Sequence, residues 1–231
     1  MPGRLDDAIL MTTWRFHPLN DAALLAEVTP ADDAANRLVL ALAARLDQAT
    51  PGGVLETVPA FNTLLVCFDP MHTSHAALIE RLQALCAQLM PVPRMPGRVV
   101  DVPVRYGGED GPDLSEVARR LGLSEAEVVR LHCTPIYRVL FLGFAPGFPY
   151  LGPLPERLRL PRRATPRTRV PAGTVAIAAD MTGIYPAPLP GGWHLLGRTP
   201  LTLFDPQAVP PTLLQPGDGV RFVPLAEGVL P

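Results

Sequence analysis

The chain contains no lysine: all 20 of its basic residues are arginine. This excludes a phosphate-binding loop of the G-x-x-x-x-G-K-[ST] type and a lysine Schiff base. Serine is nearly as scarce. Ser74, Ser115 and Ser124 each stand at or near an expected helix start, and no G-x-S-x-G elbow occurs, which argues against an ordinary serine hydrolase. Cys67, Cys86 and Cys133 are dispersed and form no CxxC pair, the pattern of buried, reduced thiols in a cytosolic protein. No apolar run approaches the ~20 residues of a membrane span. Asp6 and Asp7 occupy the place where a secretory signal carries positive charge, so a cytoplasmic location is expected. A formal net charge of −2 gives no reason to expect nucleic acid or an anionic membrane as partner. His72 and His75 are three apart but lack a third ligand, so no metal site is expected.

What the chain does have is a 48% hydrophobic fraction, 29 prolines and 19 glycines in 231 residues, enough for two small cores. Short apolar runs at 9–16 and 22–28, separated by His17-Pro18-Leu19-Asn20-Asp21, read as strands. Thr29-Pro30 reads as a helix opening, with Ala35, Leu38, Val39, Leu42 and Leu46 at helical spacing until Gly52-Gly53. Two further strands (54–58, 63–68) and a helix over 73–90 complete an expected antiparallel sheet covered by two helices. The proline-rich segment 91–97 reads as a linker. Beyond a strand at 98–106, Asp113 and Ser124 open two short helices, and Ser124-x-x-Glu127 has capping-box spacing. From Tyr137 onward, apolar runs broken every few residues by Gly and Pro predict a closed or nearly closed β structure. The expected architecture is α+β, with domains at 1–97 and 98–231.

Three stretches carry candidate chemistry. Residues 141–154 hold Phe144, Phe148 and Tyr150 on a loop stiffened by Gly and Pro; it is either a preorganised binding wall or a loop packed on its own barrel. Arg157, Arg159, Arg162, Arg163, Arg167 and Arg169 follow. A guanidinium fork suits carboxylate or phosphate, although a solvated face explains most such clusters, and the Pro-Arg settings of Arg162 and Arg167 single out those two. Thr174, Thr182, Tyr185 and Arg198 lie along the glycine-rich segment 170–200. His132 is either a general base or a helix-end histidine bonded to a carbonyl. Pro190 to Trp193 is either an exposed turn or a glycine bend over a buried tryptophan.

In order, GGEDGPDL, GLSEAEVVRLH, YRVLFLGFAPGFPYLG, PRRATPRTRVPAGTVAI, TGIYP, PGGWHLLGRTPLTLFDP and LLQPGDGVRFVP occur between residues 107 and 224. With these motifs the chain resembles the family of the 5-oxoprolinase B subunit, which also includes the subunit-1 regions of allophanate hydrolase and urea carboxylase and a bacterial sporulation-kinase inhibitor. The resemblance implies a small α/β N-terminal domain joined to a cyclophilin-like β-barrel. It also implies a site completed by a chain of the C-subunit type, with the A subunit taking part. The implied reaction opens 5-oxo-L-proline to L-glutamate at the expense of ATP, a co-substrate bound with or by the partner chains. On this pattern His132 would move a proton. Tyr150 would pack on the ring, Arg167 and Arg198 would hold carboxylate or phosphate, and Arg162, Thr174, Thr182 and Tyr185 would also contact substrate. Phe148, Pro190 and Trp193 would face the partner. Met181 departs from the family's usual glutamine, Thr174 from its usual serine, and Ala179-Asp180 from a Gly-rich pair. The alternative implied function is binding and inhibition of a histidine kinase, or an accessory role in a urea-carboxylase or allophanate-hydrolase system.

Overall fold

The computed structural model describes residues 12–48, 52–93 and 97–225. The chain divides into two compact units, Met1–Arg94 and Met95–Pro231.

In the first unit, strands β1 (Thr13–Asn20), β2 (Ala23–Thr29), β3 (Val54–Pro59) and β4 (Thr63–Phe68) form one antiparallel sheet in the order β1-β2-β4-β3. Alternation along the two inner strands turns Leu24, Ala26, Val28, Leu64, Val66 and Phe68 to one face. There they pack with Leu38, Val39, Leu42 and Leu46 of α1 (Asp33–Gln48) and with Leu78 and Leu82 of α2 (His75–Cys86). Two expectations need correction. The segment 17–20 continues β1 up to a turn at Asp21-Ala22, because its backbone is paired with β2 as far as Asn20; residues 9–11 lie outside the described ones. Thr29 ends β2 and does not cap a helix. Asp32 supplies the cap, its Oδ1 accepting the Ala35 N–H at 2.8 Å, as a short carboxylate does better for the orphan donors of a first turn. Of the expected linker, residues 94–96 lie outside the described ones.

The second unit begins with β5 (Val99–Tyr106), α3 (Leu114–Leu121) and α4 (Glu125–Cys133), then β6 (Tyr137–Leu142) and β7 (Pro149–Gly152). There follow β8 (Arg167–Val170), β9 (Thr174–Ala178), β10 (Met181–Ile184), β11 (Leu189–Gly191), β12 (His194–Arg198) and β13 (Gly219–Pro224). Seven of these strands close a barrel in the order β10-β7-β6-β13-β5-β12-β9, and β8 and β11 pair as a separate ribbon. The β13–β5 pair is parallel and the other barrel pairs are antiparallel. Every barrel strand gives residues to one interior cluster, among them Val102, Val139, Leu151, Ile177, Ile184, Leu196 and Phe222, joined by Val117 and Val128 of the helices. The architecture is α+β, a closed seven-stranded barrel and a separate antiparallel sheet with four helices. Ser124 caps α4 in a full capping box with Glu127. Ser124→Ala should therefore lower stability by about 1 kcal/mol in urea unfolding, with no change in the denaturant slope.

Candidate functional site

β9 is buried on both of its faces. Val175 and Ile177 enter the barrel interior, whereas Ala176 and Ala178 point outward into a second cluster with Phe148, Val170, Tyr185, Trp193 and Leu195. The outer wall of the barrel, overlaid by the β8–β11 ribbon, is thus itself a core, and a cleft opens in it. The cleft has a volume of about 170 Å³ and is lined by Phe144, Phe148, Tyr150 and Tyr185, by Trp193 with Pro190, Gly191 and Gly192 before it, and by Arg162, Arg163 and Pro166.

Its walls are aromatic and interlocked. Phe148 is at the centre, with ring centroids 5.0 Å from Tyr150, 5.2 Å from Tyr185 and 5.8 Å from Trp193. The last two contacts are edge-on, the arrangement that the ring quadrupoles favour. Phe144 stands at the rim, 59% exposed, and holds a left-handed backbone (φ 68°) that is costly for a bulky residue. Gly191 is required by contact: a Cβ there would collide with the Tyr185 hydroxyl. Burial pushes the Tyr185 hydroxyl up to about 12, aided by Tyr150 and opposed by Arg162 and Arg167. Burial likewise raises Tyr150, against the Arg162 charge. Both phenols are therefore protonated donors at neutral pH. Met181 packs half-buried against this cluster.

The polar side of the cleft comes from the arginine segment. Arg162 is exposed and makes no ion pair or side-chain hydrogen bond among the described residues. Arg163 and Arg167 both donate to Oδ1 of buried Asp113, at 3.1 and 2.7 Å. Burial alone would raise the Asp113 carboxyl. The Arg167 hydrogen bond, the Leu195 N–H and the charges of Arg167 and Arg163 outweigh it and hold the group below the usual carboxylate range.

The structure thus brings Phe148, Tyr150, Arg162, Tyr185, Pro190 and Trp193 together at one cleft. Trp193 and Phe148 are wall residues, 7% and 2% exposed, and Pro190 is exposed at the edge. The other expected site residues lie elsewhere. Arg198 is paired with Asp110 at 3.2 Å, and Asp110 is shared with Arg105 at 2.8 Å. The Thr174 hydroxyl donates to Pro171 O at 2.8 Å. Thr182 is cross-strand from Ile177 and Leu151 and so faces the barrel interior, where it donates to Ala176 O at 3.0 Å. His132 lies in that interior too. It is fully buried and stacks on Phe222 at 4.4 Å, with Nδ1 2.8 Å from the Tyr106 hydroxyl and Nε2 2.9 Å from the Thr182 hydroxyl. Burial pulls its pKa down to about 3, so the ring is neutral. With both nitrogens spent in the core, it is separated from the cleft by the barrel wall, and this placement does not support a proton-moving role.

Sequence reasoning gave Arg163 and Phe144 no separate role and read Asp113 only as a helix start. The signal for Phe144 was present in its Gly/Pro-bounded loop. Asp113 meets its arginines 50 and 54 residues away, and no local pattern reports such a pairing. No group of three or more His, Cys, Asp or Glu residues is placed to hold a metal ion among the described residues. Nor is any described helix long and apolar enough to cross a membrane.

Residues 14–214 match the carboxyltransferase domain family, subdomains C and D. The chain is 45% identical over 216 residues to the 5-oxoprolinase B subunit of Escherichia coli O157:H7, covering 93% of this chain and 98% of the relative. It is 41% identical over 229 residues to the 5-oxoprolinase B subunit of Bacillus subtilis (strain 168), covering 93% and 94%. Among solved structures, TTHA0988 superposes with a TM-score of 0.78 at 45% identity over 91% of this chain, which spans only 41% of that longer chain. The Kluyveromyces lactis urea carboxylase, at 21% identity and a TM-score of 0.74, covers 98% of this chain and 23% of its own, and shows a shared fold alone. Matched along nearly its whole length by curated relatives that it covers almost completely, the chain belongs to the 5-oxoprolinase B-subunit family.

Proposed function

We propose that the chain works as the B subunit of an ATP-dependent 5-oxoprolinase, binding 5-oxo-L-proline in the aromatic cleft and inactive without the C and A subunits. The observation that carries this is the cleft itself, about 170 Å³ between aromatic walls and an arginine that has no carboxylate partner among the described residues. That is the space of five or six waters at ~30 Å³ each, enough for a five-membered lactam acid. Tyr150 and Trp193, in edge contact at 5.8 Å, present one aromatic wall to the ring, Arg162 takes the carboxylate, and a tyrosine hydroxyl donates to the lactam carbonyl. Such an amide is inert, and phosphorylation of its carbonyl oxygen makes the carbon a better electrophile.

The residues of the cleft do not suit the nucleotide. Its volume is below the ~300 Å³ of even a small drug-sized pocket, and no lysine is available for a phosphate loop. ATP is therefore assigned to the partner chains, together with the proton transfers, since His132 is neutral and enclosed. Arg162 takes over the carboxylate contact that the family pattern gave to Arg167 and Arg198, which are engaged with Asp113 and Asp110. Exposed Phe144 and Pro190 form the partner-facing rim, above the buried Phe148 and Trp193.

The test is 5-oxo-L-proline-dependent ATP hydrolysis and glutamate release for this chain alone, with the C subunit, and with the A and C subunits together. Activity is expected only in the assembled system. Arg162→Ala should raise KM for 5-oxo-L-proline about tenfold, the effect of losing one charge-assisted hydrogen bond. An unaltered KM, or no turnover from a confirmed complex of all three chains, would sink the proposal.

A further inference from the structure

Asp113 is the point where three parts of the second unit meet. It lies at the start of α3, its Oδ1 accepts from Arg163 and Arg167, and its Oδ2 accepts the Leu195 N–H at 2.8 Å. Its own backbone N–H donates to Leu195 O at 3.1 Å, so the residue grips β12 twice, two positions beyond Trp193. The Arg163 backbone N–H in turn donates to Gly192 O at 2.8 Å. The arginine side and the tryptophan side of the cleft are therefore tied through one buried carboxylate. That carboxylate faces two guanidiniums, and Arg163 Nε and Arg167 Nη1 are buried without a partner among the described residues. One carboxylate against two part-exposed guanidiniums leaves net positive charge at the cleft edge, with Arg163 lining the cleft beside Arg162.

We propose that Asp113 is a positioning residue for the cleft, one that holds Arg163 beside Arg162 and fixes the width between the arginine segment and the Gly192–Trp193 wall, so that an anionic ring substrate meets a preformed site. It touches no substrate itself and acts through Arg163 and the β12 backbone. The kinetic arm of the test rests on the function proposed above; the quenching arm does not.

The quenching arm uses the full chain with Trp14→Phe, which leaves Trp193 as the single tryptophan of the two in the sequence. Asp113→Asn should raise the Stern–Volmer constant for acrylamide about threefold, as the wall loosens and the indole loses its cover. In the assembled system the same substitution should raise KM for 5-oxo-L-proline about tenfold and leave kcat within about twofold, the signature of lost ground-state binding. The sign is diagnostic, because removing a negative charge beside the cleft would by itself lower KM for an anion. Arg163→Ala keeps Asp113 paired with Arg167 and Leu195, so it serves if the asparagine variant does not fold. It should move quenching and KM in the same directions. Unchanged quenching in Asp113→Asn, or in Arg163→Ala where the asparagine variant does not fold, overturns the positioning role, as does a fall in KM for Asp113→Asn. Raised quenching with KM and kcat both unaltered upholds the positioning role and instead removes the substrate from this cleft.

Discussion

The second unit is expected to lose about 1 kcal/mol of stability between pH 7 and pH 5.5 because of His132 alone, and His132→Asn is expected to abolish that loss. In the fold the ring is neutral down to about pH 3, while in the unfolded chain it takes up a proton near 6.5. The folded pKa is the depressed one, so the unfolded state binds the proton first. Stability is complete above the unfolded value and drains away as the pH falls, by about 1.4 kcal/mol per unit through the window from about 6.5 to 3. Asp113 has the same sign but a lower window, because a carboxylate held below its ordinary value loses its contribution only as the pH falls through the carboxylate range. The interval above pH 5.5 therefore separates His132 from Asp113, and the comparison with His132→Asn assigns the difference to this ring. Urea unfolding followed at Trp193 in the Trp14→Phe background is the measurement. His132→Ala removes a buried ring and leaves the Tyr106 and Thr182 hydroxyls facing a cavity, at a cost of about 4 kcal/mol. A histidine variant that kept full stability at pH 7 while losing turnover in the assembled system would return the residue to a chemical role.

The second large effect is expected at Gly191. Any side chain there meets the Tyr185 hydroxyl, and the Tyr185 ring is itself enclosed at 1% exposure against Phe148. The ring cannot retreat into the cluster, so Gly191→Ala drives it or the β11 backbone into the cleft. KM for 5-oxo-L-proline should rise more than about tenfold, and overpacking should cost about 1–3 kcal/mol. Tyr185→Phe removes the atom in closest collision and leaves Cζ, 2.8 Å from the added Cβ, so in the double variant Gly191→Ala/Tyr185→Phe the loss should be smaller than the sum of the single losses without vanishing. Strict additivity would show that the contact does not set the cleft, and steady-state kinetics beside thermal melts of all four proteins decide the matter.

Much of the molecule was legible from local pattern. The alternation in 22–28 and 63–68 and the helical spacing of Leu38, Leu42 and Leu46 specify a sheet with one covered face. The Ser124–Glu127 box announces the start of α4, and the Gly/Pro-spaced apolar runs after Tyr137 announce a barrel. The motifs around Tyr150, Arg162, Tyr185 and Trp193 also pointed to residues that share a cleft. Thr182 was misplaced for a reason of pattern. In a strand buried on both faces, such as Thr174–Ala178, alternation between apolar and polar residues disappears, and with it the clue to which side is inside. Thr182 looks like a cleft residue in sequence because its neighbours are, yet it faces the interior, where it meets His132 of α4.

The sequence by itself determined the two kinds of core, the closed barrel and the family, because periodicity, turn chemistry and ordered motifs are properties of neighbouring residues. Only the tertiary structure decided which cations are free to bind. Arg162, Arg163, Arg167 and Arg198 are alike in one dimension. Asp110 lies 88 positions before Arg198, and Asp113 lies 50 and 54 before Arg163 and Arg167. Charge pairing depends on distance through space, and chain closure alone brings those carboxylates to within hydrogen-bond reach. Arg162 is left facing the cleft without one.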